Sequence, residues 1–502
     1  MKKQFNIFLF ATTVMVLCSC SKTYLDVNTN PNSPTSTTPE LVLPNALTVT
    51  ASFQVPSYTF LEGWMGQWAP SGSYATGALD VASYDQNSTT YADGLWPPIY
   101  NNLTDYDYIE KAGLAENKPF YAAAAKIMKA YEFQQLVDMF NDVPYSQAFQ
   151  GTGAIQPKYD KGQDVYDAIT AQIDSAVTLM QRADAIAALH SDVLFDGDNA
   201  SWVAFANTLK LRILMRQSQV SARQSVITSE IAKIKANGGG FLTTEAGVNP
   251  GYANNTGQQS PVYGYFITIT STPTSGGRAD FWRAHQYTID FCKKNNDPRY
   301  AYFYAPVESG PYAGKDTGNV LGSKFNLTTP NSSGIGSSIP GTGIVKSVNQ
   351  PAILISLAES NFLQAEAVLR GWLSGDITTL FNSGVQASFS YLGAGDATTY
   401  VNQPGNTSTN INACTTTALK LNCIIRQKWM AMNGTTPFEE WCDYRRLGLP
   451  TNPPIPLSVS LFRVGNIPFR LLYPSSEYQT NAANVGAEGT IDPHTSKIWW
   501  MP

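Results

Sequence analysis

Residues 120–140 read FYAAAAKIMKAYEFQQLVDMF, and this stretch decides the fold class. Its large apolar side chains recur at intervals of three and four residues, in the set Phe133, Leu136, Val137 and Phe140. That spacing follows the turn of an α-helix and places all four side chains on one helical face. The stretch therefore predicts a long amphipathic helix.

The same periodicity recurs along the chain and predicts a mainly α protein. It is found in the sets Ile169, Ile173, Ala176, Val177, Met180; Trp202, Phe205, Ala206, Leu209, Ile213; and Ala365, Val368, Leu369, Trp372. Further helices are predicted at 41–55, 94–115, 223–236, 281–293, 376–391, 418–433 and 436–447. Alternation typical of a strand is sparse, and residues 262–269 are its best case. Periodicity alone does not show a helical repeat.

Long segments without periodicity separate the helices. They lie at 62–93, 241–280, 301–350, 393–417 and 449–496. Irregular segments longer than about 15 residues are uncommon in compact domains and usually have a function. We therefore expect ligand contacts in these segments.

The start of the chain has the organisation of an export signal. Two lysines open it, and an apolar run follows at 5–17. This run is too short for a membrane-spanning helix, which needs about 20 residues. We interpret residues 1–19 as a signal peptide.

A cysteine at the end of the signal predicts lipidation. Cys20 follows Leu17 and Ser19, the apolar and small residues of a lipobox, whereas Cys18 would put Leu17 at the small position. Two or three acyl chains on Cys20 would anchor the protein firmly, because one chain alone binds a membrane only weakly. Residues 20–38, rich in Ser, Thr, Asn and Pro, then form a lipidated tether. The alternative is a plain signal peptide with a chance cysteine.

The composition suits uncharged ligands. Asp, Glu, Lys and Arg make up 14% of the chain, with 38 acidic and 33 basic residues. A nucleic-acid binder needs clustered Lys and Arg to neutralise phosphates, so this class is excluded. The chain contains 26 Tyr, 23 Phe and 10 Trp, and its polar residues are mainly hydroxyls and amides. Such side chains suit neutral polar ligands such as sugars.

Four cysteines follow Cys20 in the sequence. An exported protein can form disulfides, and Cys414 and Cys423 lie nine residues apart in a Thr- and Asn-rich segment. We predict that these two pair. Cys292 and Cys442 are explained nearly as well as buried free thiols. No CxxC motif occurs, which disfavours a zinc or redox site.

Segments that carry a family resemblance are distributed along the whole chain. They are YLDVNTNP at 24–31, DVPY at 142–145, NDPR at 296–299, AEAVLRG at 365–371, IRQKW at 425–429, EWCDYRRLG at 440–448, RLLYPSSE at 470–477 and WW at 499–500. In this order they resemble the SusD/RagB family of outer-membrane lipoproteins from Bacteroidetes, in particular its SusD-like subgroup. Asn141 departs from the family pattern, which has glycine before the DVPY turn.

The resemblance implies a fold, a function and a partner. The fold is mainly α, with four tetratricopeptide-like helix pairs supporting a loop-rich ligand-binding half, in a single SusD-like domain at 39–502. Family members bind glycans, or peptides in some cases, at the cell surface and deliver them to a SusC-like TonB-dependent transporter. We therefore expect a lipid-anchored outer-membrane protein that binds its ligand, needs no cofactor and is not an enzyme. The alternatives are a surface glycoside hydrolase and a peptide-binding member of the same family.

Charged residues within these segments are predicted to have structural roles. Glu359, Glu366, Arg426, Arg445 and Arg446 lie on predicted helices, where buried pairing is the preferred interpretation because the planar guanidinium suits buried ion pairs. The NDPR segment is predicted to be a turn that ends a helix, since a residue before proline avoids helical geometry.

Ligand contacts are predicted from aromatic clusters in the irregular segments, because the family's ligand residues vary between members. The candidates are Trp64, Trp68, Tyr74 and Tyr84 in one cluster and Tyr302, Tyr304 and Tyr312 in a weaker one. Aromatic planes stack on the apolar faces of sugar rings, and these side chains lose little entropy on binding. Trp64 and Trp68 would share one face of a helix, which predicts either a ligand platform or inward packing.

Motifs for catalysis and metal binding are absent from the sequence. The three histidines lie far apart, and no serine-hydrolase, zinc-protease or phosphate-loop motif occurs. We expect no catalytic residue and no metal site. Two carboxylates suffice for a glycosidase, so 38 acidic residues leave that alternative open. The DGDN stretch at 196–199 offers oxygens for a structural calcium ion, and a loop leading into a helix is the better interpretation.

Overall fold

A computed structural model describes residues 37–54, 56–73, 80–86, 90–272, 278–307, 310–318, 343–451 and 453–502. Cys20 and Tyr74 lie outside these ranges, as do the signal peptide and residues 20–36 of the tether. The predictions made for them therefore stay predictions.

Eleven helices of nine residues or more form the scaffold of the described chain. They are α1 (Pro39–Phe53), α2 (Trp96–Ala115), α3 (Pro119–Phe140), α4 (Gly162–Met180), α5 (Asn199–Arg216), α6 (Gln224–Ala236), α7 (Gln286–Lys294), α8 (Leu357–Leu369), α9 (Ile377–Leu392), α10 (Thr417–Met432) and α11 (Pro437–Leu447). Every predicted helix corresponds to one of them. Among the helices predicted as explicit ranges, the largest difference is at α7, which begins at Gln286 where the prediction begins at 281.

Consecutive helices pack on one another as pairs. α2 packs on α3, α3 on α4, α4 on α5, and α8 on α9, while α8 also contacts α5 and α10. Short connections such as residues 116–118 return the chain, so the neighbours run antiparallel. α3 is covered by α1, α2, α4 and α5, which explains why nearly all of its side chains are buried. The mainly α fold of helical repeats is confirmed.

Four short strands, nine shorter α-helices and five 3-10 helices of three residues each complete the described elements. The strands are β1 (Trp68–Pro70), β2 (Ala246–Val248), β3 (Trp282–Ala284) and β4 (Ala352–Ile355), and they form the antiparallel pairs β1–β3 and β2–β4. The short helices are Thr59–Trp64, Asp80–Ser83, Thr90–Asp93, Pro261–Phe266, Arg278–Phe281, Tyr300–Phe303, Thr398–Val401, Ser475–Thr480 and Ala482–Ala487.

The strand predicted at 262–269 is wrong. Residues Pro261–Phe266 form a helix instead, with the proline at its first position, where the missing N–H costs no hydrogen bond. Val262 and Phe266 are both buried, and a separation of four residues places them on one helical face. The apolar pattern is thus compatible with either structure, and the proline decides between them.

Buried ion pairs connect the helices. Arg446 of α11 donates to both carboxylate oxygens of Glu366 on α8, over 2.6 and 2.8 Å, and to Asp443 over 2.7 Å. Arg212 of α5 donates to both oxygens of Glu359 on α8, over 2.7 and 2.9 Å. All of these side chains are buried. Glu359, Glu366 and Arg446 therefore have the structural role predicted for them.

Three further arginines are held inside the protein. Arg445 lies over the Trp441 ring and donates to the Asp138 carbonyl over 2.6 Å. Arg426 donates to the Tyr287 hydroxyl. Arg299 of the NDPR segment donates to both oxygens of Asp297, in the turn that follows α7. These residues also contribute to structure, as predicted.

The four described cysteines are buried free thiols, so the disulfide predicted between Cys414 and Cys423 is not formed in the structure. The Cys414 thiol points towards the Thr407 carbonyl oxygen, 3.4 Å away. The neighbouring Cys423 side chain lowers the pKa of the Cys414 thiol. Cys292 and Cys442 are buried thiols, in agreement with their prediction.

None of the helices in the described ranges combines the length and the apolar character that crossing a membrane requires.

Candidate functional site

The described members of the first predicted aromatic cluster, and one member of the second, lie in the core. Trp64, Trp68, Tyr84 and Tyr304 are at most 1% exposed. Trp68 donates from Nε1 to Asn433 Oδ1 over 2.9 Å, so its polar edge is also occupied within the protein. None of the four lines the cleft described below, and each is enclosed by other side chains of the core. The prediction of ligand contact is therefore wrong for these four residues, and for Trp64 and Trp68 the alternative of inward packing holds.

Two tyrosines of the second cluster remain partly exposed. Tyr302 and Tyr312 are half-buried, and the Tyr312 ring packs edge-on against Tyr300, with ring centroids 4.9 Å apart. Neither is among the described residues that line the cleft below. Their prediction as ligand contacts stays a prediction.

An open cleft of about 450 Å³, called here the aromatic cleft, lies in the loop-rich part of the described chain. Its walls include Thr59, Phe60, Asp80, Tyr91, Phe281 and Trp282. The rings of Phe60 and Tyr91 stack with centroids 4.3 Å apart and planes 27° apart. The volume is within the usual range of small-ligand sites, about 300–1,000 Å³. The cleft therefore offers aromatic planes in a space large enough for a ligand.

Strand pairing places Trp282 in the cleft wall. β3 pairs with β1 so that Trp282 lies opposite Pro70. Trp282 donates from Nε1 to the Tyr265 hydroxyl over 3.1 Å, and that hydroxyl lies 3.2 Å from Thr59 Oγ1. These bonds fix the orientation of the indole ring. Because Trp282 is only 4% exposed, the half-buried Tyr91 supplies more of the accessible ring surface.

The cleft also depends on a close approach between two short helices. A Cβ at Gly63, in the helix Thr59–Trp64, would lie 2.8 Å from Val81 Cγ2 and 3.5 Å from Trp282 Cζ3. The first distance is too short for any side chain. Glycine at this position therefore allows the helix Asp80–Ser83 to reach the cleft wall.

The electrostatics of the cleft favour an uncharged ligand that forms hydrogen bonds. Burial, and then the charge of Asp80, raise the pKa of Tyr91, so its hydroxyl remains protonated. Asp80 is the one carboxylate among the described lining residues. Aromatic planes beside a neutral hydroxyl can stack on a sugar ring and bind its hydroxyl groups.

A larger cleft of about 810 Å³ lies between α8 and α9. Its lining is mostly amides and hydroxyls, and Tyr391 is its one aromatic residue among those described. Gln386 already holds the following turn, because it donates to the Gly395 carbonyl and accepts from the Ala397 N–H. With a single ring, this cleft offers a sugar less stacking surface than the aromatic cleft.

Sequence reasoning missed the rings that line the aromatic cleft. Tyr91 lies in the irregular segment 62–93, where ligand contacts were expected, but it belongs to neither cluster. Phe281 and Trp282 were assigned to the start of a predicted helix, whereas they end one short helix and begin β3. The sequence feature that could have identified Phe281 and Trp282 as candidate ligand residues is their position directly after the long irregular segment 241–280.

A metal-binding cluster of three or more His, Cys, Asp or Glu side chains does not occur in the part of the chain that the structure describes. In the DGDN stretch, Asp198 accepts hydrogen bonds from the N–H groups of Ala200 and Ser201, both over 3.2 Å, and thereby caps α5. The stretch is thus a loop leading into a helix.

Comparison of the sequence with family profiles gives a match over most of the chain. Residues 31–474 match the SusD-like family described as "Starch-binding associating with outer membrane". Comparison with curated proteins gives no match.

Comparison of the structure with solved structures gives many matches. A chitin-binding SusD homologue from Flavobacterium johnsoniae has a TM-score of 0.75 and 24% identity, over 92% of this chain and 98% of that one. A SusD homologue from Bacteroides uniformis has a TM-score of 0.73 and 23% identity, over 92% and 99%. A SusD-like protein from Bacteroides thetaiotaomicron has a TM-score of 0.71 and 23% identity, over 92% and 98%. The fold is shared over nearly the full length of each.

The family match and the shared fold agree with the resemblance carried by the sequence segments. The match covers most of the chain, including the helices that bear the buried ion pairs. The protein therefore belongs to the SusD-like family, whose members are described as starch-binding and associated with the outer membrane.

Proposed function

We propose that this protein binds glycans at the outer surface of the outer membrane and delivers them to a SusC-like TonB-dependent transporter. The observation that carries the proposal is the aromatic cleft, in which Phe60 and Tyr91 stack beside Trp282 and a single carboxylate. Aromatic planes with few charges suit neutral sugar rings. The family description, starch-binding and associated with the outer membrane, supports the same ligand class.

The proposed role is capture without catalysis. Glycoside hydrolysis normally uses two carboxyl groups that flank the scissile bond. Among the described lining residues of the aromatic cleft, only Asp80 carries one. This supports a binding protein over the alternative of a surface hydrolase.

The proposed location depends on Cys20. Acyl chains on this residue would hold the protein at the outer membrane, and residues 20–38 would serve as the tether to the domain at 39–502. The transporter beneath would then receive the glycan.

Titration of glycans into the purified protein tests the proposal. The probes are soluble hexasaccharides of chitin, starch and cellulose, since one similar structure is of a chitin-binding protein and the family description names starch. We expect at least one to bind the wild-type protein, as measured by isothermal titration calorimetry. Binding of none would contradict the assignment of a glycan ligand.

Substitution of Tyr91 locates the binding in the aromatic cleft. Tyr91→Ala should weaken binding by up to about tenfold, because an aromatic contact contributes roughly 0.5–1.5 kcal/mol. Tyr91→Phe retains the ring and should bind like the wild type. Tyr478→Ala is the matched control, since this exposed tyrosine lies outside the cleft. Equal binding by Tyr91→Ala and wild type would place the glycan elsewhere.

A further inference from the structure

A second pocket of about 370 Å³ lies beside the aromatic cleft, and Tyr265 connects the two. Its lining includes Ser52, Tyr252, Gln259, Ser260 and Arg278. The Tyr265 side chain lines this pocket, while its hydroxyl is bonded to Thr59 and Trp282 of the aromatic cleft. The two spaces are therefore neighbours that share one wall.

Two hydroxyl groups in this pocket are buried without a hydrogen-bond partner. Ser260 Oγ and Tyr252 Oη make no hydrogen bond within the protein, and the two residues are 0% and 9% exposed. Most buried polar side chains have a partner, because an unpaired buried group costs stability. Two such groups in the lining of one pocket point to an occupant that pairs with them.

Ser260 is in a position where its hydroxyl would normally be used. It is the N-cap residue of the helix Pro261–Phe266, and a serine there usually accepts a hydrogen bond from the first turn. No such bond is formed. Its backbone is nevertheless fixed, because its N–H donates to the Val348 carbonyl and its carbonyl accepts from the Gly264 N–H, both over 2.8 Å. The rigid backbone thus presents an unused hydroxyl in the pocket lining.

Tyr252 adds a donor. Burial raises the pKa of its hydroxyl, so the group keeps its proton. At the rim, the Arg278 guanidinium lies over the Tyr265 ring, 4.7 Å from the ring centroid. The pocket thus combines hydroxyls, the Gln259 amide and a stacked guanidinium, which together can donate to and accept from a ligand rich in hydroxyl groups.

We propose that this hydroxyl pocket is a second subsite, which binds one sugar unit of the glycan whose neighbouring unit stacks in the aromatic cleft. The inference rests on the proposed function and deepens it, because hydrogen bonds in the subsite would select glycans by the arrangement of their hydroxyl groups. The pocket volume far exceeds the roughly 30 Å³ that a water molecule occupies in the liquid. Tyr265 lines this pocket and its hydroxyl is bonded to Thr59 and Trp282 of the aromatic cleft, so a glycan that fills both spaces must have at least two sugar units.

Two isosteric variants test the subsite. Ser260→Ala and Tyr252→Phe each remove one unpaired hydroxyl and leave the rest of the side chain. Each should weaken binding of the best hexasaccharide from the glycan titrations by about tenfold, because a hydroxyl of the sugar loses its partner. The unfolding temperature of each ligand-free variant should be at least that of the wild type, since the protein loses an unpaired buried group.

A matched control and distinct outcomes make the test decisive. Tyr478→Phe removes the hydroxyl of an exposed tyrosine on the helix Ser475–Thr480 and should leave binding unchanged. If the wild type binds a hexasaccharide and both pocket variants bind it equally well, water fills the pocket and the subsite is rejected, while the proposed function stands. If the wild type binds no glycan, the proposed function and the subsite both fail.

Discussion

Glu132, in the middle of α3, shows how much a single buried group can control in this protein. It is fully buried, and its Oε1 atom accepts hydrogen bonds from Thr50 on α1 over 2.7 Å and from Asn102 on α2 over 2.6 Å. Its other oxygen has no partner. Burial raises the pKa of Glu132 to about 8, although the bonds from Thr50 and Asn102 act in the opposite direction. The carboxyl is therefore uncharged in the folded protein at neutral pH.

This protonation makes the stability of the fold depend on pH. Between the ordinary pKa of 4.5 and the folded value of about 8, the folded protein holds a proton that the unfolded chain releases. The stabilisation that protonated Glu132 contributes is therefore fully present below the unfolded pKa of 4.5. It is lost as the pH rises through the folded pKa of about 8. Its loss in this window is at most about 1.4 kcal/mol per pH unit.

Glu132→Gln should remove that pH dependence. We expect the free energy of unfolding of the wild type to fall relative to the variant as pH rises from about 5 to 8. Urea unfolding at several pH values measures the difference. Glu116→Gln, at an exposed position after α2, should follow the wild type. Parallel curves for wild type and Glu132→Gln would show that Glu132 is charged when buried.

Single residues also mark the limit of what the sequence predicts about the site. Trp64 and Trp68 were chosen as ligand residues, and they lie in the core. Tyr91 and Trp282, which line the aromatic cleft, were not chosen. Local spacing reports which residues share a face, but which face meets the core depends on segments far away in the chain.

At the scale of helices, charged pairs hold the scaffold together. Arg446 on α11 bridges Glu366 on α8 and Asp443 within its own helix, and all three are buried. Glu366 also pairs with Arg370 over 2.7 Å. A buried pair contributes little net stability compared with apolar packing, but the loss of one partner leaves a buried charge uncompensated.

Arg446→Met should therefore destabilise the protein strongly. Loss of one partner of a buried pair costs about 3–5 kcal/mol, although Arg370 would still compensate part of the Glu366 charge. Urea unfolding of the variant measures the loss. Arg370→Met is the matched control, because Arg370 is 19% exposed and water can replace its role in part. Equal losses of stability in the two variants would show that the buried Arg446–Glu366 ion pair contributes no more than the partly exposed Arg370–Glu366 pair.

Elements differ in how well the sequence predicts them. The long helices were found because each carries its own periodic pattern, as in residues 120–140. The pairing of β1 with β3 was not found, since it joins short segments more than 200 residues apart. The strand predicted at 262–269 failed because Val262 and Phe266 satisfy both periodicities. Local structure was thus predictable, and pairing between distant segments was not.

At the scale of the whole molecule, the two ends of the described chain share one core. Leu43 on α1 and Trp500 near the C-terminus belong to the same buried cluster. The buried segments of the family resemblance, such as AEAVLRG and EWCDYRRLG, meet in the α8–α11 pair. The family could be recognised from the sequence because these segments build the scaffold. The residues that line the aromatic cleft lie outside them, which explains why this candidate site was not predicted with the fold.

Attachment to the outer membrane is proposed to depend on one residue, Cys20. The lipobox residues Leu17 and Ser19 precede it, and the family description places its members in association with the outer membrane. Cys20→Ala should abolish incorporation of labelled palmitate and release the protein from the membrane fraction. Cys18→Ala is the matched control, because a lipobox ending at Cys18 would place Leu17 where a small residue is required. Label retained in Cys20→Ala, or lost in Cys18→Ala alone, would move the anchor to Cys18 and shift the start of the tether by two residues.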